Sequence, residues 1–206
     1  AGFEAVAYDV KNWPTVNVPE SLECAGFGTA IFRNVGYYWT PDPPFVSRPA
    51  PTNFLVHAEP NGTASYRRDF TLPENWRTRR TFLRFDGFAA AIDVWVNGRK
   101  VGYAEDGRQG AEFDVTDFVT VGANTLAVRT YRLCDGSYME DQDFYRLSGL
   151  IRPVFLRSEP QRRIRDFAVR TARVSETEPY AGGAWRLLVS AQVPDDCHLA
   201  LSLFDM

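Results

Sequence analysis

Between residues 135 and 146 the chain reads Asp135-Gly136-Ser137-Tyr138-Met139-Glu140-Asp141-Gln142-Asp143-Phe144-Tyr145-Arg146, which puts Glu140, Asp141 and Asp143 within four residues. Like charges that close raise each other's pKa unless a cation or a donor relieves them. A bound Na⁺, Mg²⁺ or Ca²⁺ would do so, and so would Arg146. Sugar hydroxyls also suit such a segment, because one carboxylate can accept two of them. A solvated acidic loop fits the same charges. The interleaved Tyr138, Phe144 and Tyr145 weigh against that reading, since aromatic surface is costly to leave in water.

A second candidate is Glu59-Pro60-Asn61-Gly62-Thr63, where the Asn61 amide offers both donors and acceptors to a ligand. Ordinary turn chemistry accounts for the same residues, because Asn-Gly is a favoured turn pair. No Asp or Glu pair stands out as the acid and nucleophile of a glycosidase. GxSxG, HExxH, Walker and post-strand GxGxxG motifs are absent. His57 and His198 are the only histidines, and neither has a nucleophile in a recognisable frame. A complete active site made from this chain alone is not expected.

Composition narrows the classes further. The 206 residues carry a net charge of −3, which gives no electrostatic footprint for nucleic acid. Cys24, Cys134 and Cys197 are odd in number and widely spaced, so neither a disulfide scaffold nor a zinc site is expected. No apolar stretch approaches the ~20 residues of a membrane span, and Ala1–Val10 lacks the pattern of a signal peptide. A cytoplasmic or a periplasmic protein fits equally. Aromatic residues make up 14% of the chain, and 15 Gly with 13 Pro accompany them. That mixture suits a β-sandwich.

The elements that must position these residues follow from periodicity. In residues 1–60, Pro14, Pro19, Pro41, Pro43, Pro44, Pro49, Pro51 and Pro60 remove backbone donors, and the segment reads as an irregular arm wrapped over something else. From Thr63 onward the pattern alternates with period two. Strands are expected over 65–72, 81–85, 92–97, 111–115, 125–133 and 152–157, with one helical turn over 73–79. Ile92, Val94 and Val96 face one way, and Asp93, Trp95 and Asn97 the other. Asn97-Gly98 then marks a tight hairpin, and residues 121–124 read as a second hairpin connection. Beyond Pro160, strands are expected over 164–174, 185–193 and 199–204. Three strands cannot close an immunoglobulin-like sandwich of about seven, so 161–206 reads as a truncated domain and the chain as a fragment.

Val94-Trp95-Val96-Asn97-Gly98-Arg99-Lys100-Val101-Gly102-Tyr103 resembles the hairpin of the sugar-binding domain of glycoside hydrolase family 2, and so does Ala111-Glu112-Phe113-Asp114-Val115-Thr116. The run from Asp135 through Asp143 to Arg152 resembles the large β-galactosidases of that family. Asn34-Val35, Pro43-Pro44-Phe45-Val46 and Glu59–Tyr66 follow the family's order and approximate spacing.

The resemblance implies an all-β chain: a jelly-roll (galactose-binding-domain-like) β-sandwich over 61–160 under the arm of 1–60, then a truncated immunoglobulin-like β-sandwich over 161–206. It implies a parent that is a retaining β-galactosidase acting on β-galactosides such as lactose, with its catalytic glutamates on a barrel outside this chain. Asn61 and Asp143 are then galactose contacts, and Asp143 is also a sodium ligand. Glu105 and Asp135 correspond to a peripheral magnesium site. Sodium and magnesium serve the parent enzyme, and no stable binding is expected here. The expected partners are the galactoside with the barrel, and further copies of the parent in a homo-oligomer. Nucleic acid and membrane are not expected partners. A self-sufficient carbohydrate-binding module, or a structural domain of another family 2 glycosidase such as a β-glucuronidase, would share many of these features.

Overall fold

A computed structural model describes residues 2–30, 32–33, 62–138, 140, 144–174 and 185–204. The chain divides into two compact units, Ala1–Ser158 and Glu159–Met206.

The first unit is a β-sandwich. Its four-stranded sheet has the order β2 (Thr63–Leu72), β7 (Gly122–Tyr131), β4 (Ala91–Val96), β5 (Arg99–Ala104). Its three-stranded sheet has the order β6 (Ala111–Asp114), β3 (Arg80–Phe85), β9 (Val154–Glu159). Two short strands, β1 (Phe32–Arg33) and β8 (Phe144–Tyr145), pair antiparallel at the side. The expected helical turn is a 3₁₀ turn over Glu74–Trp76.

The alternation of 92–96 does what its period dictates. Ile92, Val94 and Val96 are fully buried and pack with Leu83, Phe85, Phe88, Val115, Val128 and Leu150 into one core. Each such side chain contributes roughly 1.5–3 kcal/mol over leaving it exposed, so this cluster dominates the stability of the unit. Asn97 (φ 51°) and Gly98 (φ 77°) form the hairpin turn between β4 and β5. Positive φ at both central positions matches the strand twist, and Asn-Gly reaches it cheaply.

The opposite face of β4 is covered. Phe3 is buried against Trp95, ring centroids 5.5 Å apart and edge to face, with the Arg129 guanidinium 5.0 Å from the Phe3 ring. Arg67 Nη1 donates to the carbonyl oxygens of Phe3 and Ala5. Asp93 is buried beside them, accepting a 2.6 Å hydrogen bond from Tyr131 Oη and an ion pair from Lys100 Nζ at 2.7 Å.

Residues 121–124 do not connect a hairpin. β6 pairs with β3, whereas β7 pairs with β2 and β4, so this segment carries the chain from one sheet to the other. Its side-chain amide network explains the shape. Asn124 Nδ2 donates to the Thr120 and Gly122 carbonyls, and Asn97 Nδ2 donates to Asn124 Oδ1 and the Phe118 carbonyl.

In the second unit β10 (Asp166–Arg173) and β11 (Trp185–Gln192) form a two-stranded antiparallel ribbon. Residues 199–204 are not a strand, contrary to their alternation. A strand needs a ladder partner for its backbone groups, and the described residues of this unit offer none there. Leu201, Leu203 and Phe204 are correspondingly exposed. Among the described residues no helix is long and apolar enough to cross a membrane.

Candidate functional site

The acidic segment starts where β7 ends. Arg132 leaves the strand, and Leu133 and Cys134 turn inward and are buried. A 3₁₀ turn over Asp135–Tyr138 follows. Ser137 closes it, its hydroxyl accepting from the Cys134 N–H at 2.9 Å while its own N–H donates to the Cys134 carbonyl at 3.1 Å. Asp and Ser with a central Gly favour such local turns over regular strand. The chain returns through β8, and Arg146, Ser148 and Leu150 are buried.

Of the three carboxylates of the acidic run, Glu140 is the one among the described residues. Burial pushes its carboxyl above the usual range, the nearby Asp106 and Glu105 carboxylates push it further, and Arg108 opposes them. Burial likewise raises the Cys134 thiol. Glu105 follows β5 and accepts a hydrogen bond from Tyr103 Oη. A Cβ on Gly136 would lie 3.8 Å from Glu105 Oε2 and 4.0 Å from Glu140 Oε1, so both carboxylates face the turn that opens at Asp135. Among the described residues, His, Cys, Asp and Glu side chains never gather in threes around a metal-sized space. Of the pair Glu105 and Asp135, Glu105 lies beside Gly136 and Asp135 opens the turn. A small cavity of about 50 Å³ sits alongside, lined by Ala89, Arg108, Ser137, Glu140 and Arg146 among others.

Asn61 and Asp143 lie outside the described residues, as do Met139, Asp141 and Gln142. Their described neighbours are tied together. The Arg132 N–H donates to the Gly62 carbonyl at 3.0 Å. Arg132 Nη2 donates to the Arg146 carbonyl and to the Thr29 carbonyl, both at 2.8 Å. Glu23, on the arm, sits with one carboxylate oxygen 3.6 Å from Arg132 Nη2 and accepts from the Ser148 N–H (2.8 Å) and hydroxyl (2.6 Å). Two main-chain bonds reinforce the seam, from Glu20 N–H to the Leu150 carbonyl and from Leu22 N–H to the Ser148 carbonyl.

A cleft of about 740 Å³ opens beside this seam, with Trp13, Glu23, Phe27, Tyr66, Arg132 and Ser148 in its wall. Burial pushes the Tyr66 phenol up to about 12, the Leu150 backbone opposes the shift, and the Glu23 carboxylate adds to it. Glu23, Arg132 and Ser148 escape motif reading because their contacts join distant segments. Arg132 lies inside the strand expected over 125–133, so no local signal sets it apart.

The first unit is thus a two-sheet β-sandwich whose described chemistry-bearing groups sit at strand ends. Residues 4–160 match the family described as "Glycosyl hydrolases family 2, sugar binding domain", and the chain belongs to that family. It is 38% identical over 174 residues to the Beta-galactosidase of Priestia megaterium, a match covering 82% of the chain and 16% of that protein. It is 34% identical over 204 residues to the Beta-galactosidase of Pseudoalteromonas haloplanktis, covering 98% of the chain and 18% of that protein. The chain thus spans less than a fifth of these curated relatives. Among solved structures, a calcium binding mutant of Bacteroides uniformis beta-glucuronidase 2 superposes with a TM-score of 0.60 at 23% identity, covering 84% of the chain and 18% of that structure's chain. A beta-glycosidase from Bacteroides vulgatus superposes with a TM-score of 0.58 at 20% identity, covering 93% and 22%. At those identities the likeness extends to the fold.

Proposed function

We propose that this chain is the N-terminal, non-catalytic part of a retaining β-galactosidase and that it supplies contacts to the galactosyl group. The catalytic glutamates belong to residues outside it. The observation that carries this reading is the seam at Arg132, which ties Gly62, next to Asn61, to Arg146, three residues beyond Asp143. Two loops that flank one ligand need such a shared anchor, because a sugar hydroxyl is recognised only when its partners hold their spacing. Similarity to proteins named Beta-galactosidase at 34–38% identity supports galactose as the hexose.

In this reading Asp143 accepts galactosyl hydroxyls and shares its charge with a sodium ion. A carboxylate removed from water needs such a counter-charge. Asn61 adds an amide contact from the neighbouring turn. The aspartate is a binding group, and no proton transfer is assigned to it.

The decisive experiment uses the full-length protein. It is expected to hydrolyse aryl β-galactosides far faster than aryl β-glucuronides, and Asp143→Ala is expected to lower kcat/KM roughly 100-fold with the fold retained. Preference for glucuronides, or wild-type kinetics in Asp143→Ala, would overturn the reading.

A further inference from the structure

We draw no further inference here: the strongest candidate, the cleft of about 740 Å³ walled by Trp13, Glu23, Tyr66 and Arg132, runs up to Gly62, which adjoins residues outside the described ones, so nothing in the structure shows what covers it.

Discussion

Arg67 reaches back 64 residues to cap the main chain at Phe3, while the Phe3 ring is clasped between Trp95 and the Arg129 guanidinium. The backbone of the arm and its buried aromatic anchor Phe3 are thus held by neighbouring strands of the same sheet. Trp95 points away from the sandwich core and is half-buried under this contact, while Asp93 is buried with Tyr131 and Lys100 on its carboxylate.

Arg67→Met should release the arm before it unfolds the sandwich. Hydrogen bonds from a charged donor to carbonyls contribute about 1.5–3 kcal/mol, and loss of local order precedes global unfolding where contacts are few. The expected result is proteolytic cleavage within residues 2–13 at protease levels that leave 63–158 intact. Wild-type resistance of the arm in that variant would contradict the anchoring role.

Gly149 adopts φ +99°, and a Cβ there would fall 2.6 Å from Tyr66 Oη and 3.0 Å from Leu22 Cγ. Gly149→Ala therefore combines backbone strain with a clash against a buried phenol. The expected cost is about 2–4 kcal/mol, read as a fall in the thermal midpoint. Adding Tyr66→Phe should recover part of the loss, since it removes the atom that the new methyl meets first.

The acid limb of stability should carry the signature of Asp93. Burial alone would raise its carboxyl, but the hydrogen bonds from Lys100 and Tyr131 and the nearby charges of Lys100 and Arg129 outweigh burial and hold it below the usual range. A carboxyl depressed in the folded state stabilises at every pH above its unfolded value, and that contribution is lost as pH falls through the folded value. Asp93→Asn is expected to destabilise by about 1–2 kcal/mol at neutral pH and to differ little from wild type once the carboxylate of the wild type is protonated. Denaturant titrations across the acid range read the difference.

Glu140 has the opposite sign. Burial raises its carboxyl first, with Asp106 and Glu105 adding to the shift. A carboxyl raised in the folded state leaves stability intact below its unfolded value and lowers it as pH climbs through the folded one. Glu140→Gln should therefore raise the melting temperature at neutral pH and leave it unchanged in acid. An equal shift at both pH values would point to packing rather than charge.

Much of the sandwich was legible because local rules and tertiary placement agree there. The period of 92–96 names its buried face, and Asn97-Gly98 names its turn. The arm over Asp93 and Trp95 was expected only as a wrapping segment, since nothing in Phe3 itself says which strand it meets. Residues 199–204 alternate as well as any true strand, yet alternation cannot supply a pairing partner. In the candidate site the acidic run was conspicuous, but the raised Glu140 carboxyl owes most to burial and then to Asp106, which the run itself does not announce. Glu23 was not conspicuous, because its meaning lies in Ser148, 125 residues away. The galactose contacts assigned to Asn61 and Asp143 fall outside the described residues and rest on the proposal alone.

The position of β4 in its sheet also bears on how the molecule assembles. On one side it meets β5 across a two-residue turn, and on the other it meets β7, whose far edge pairs Thr63 with Tyr131. Loop-closure entropy penalises each longer connection more than the last. The sheet is thus predicted to nucleate at the Asn97-Gly98 ribbon, recruit β7, and accept β2 afterwards. The Arg132 seam, which depends on β2 and β7 being in place, would then be among the last features to set, so premature arrest of folding would leave that seam unformed on an otherwise cohesive scaffold.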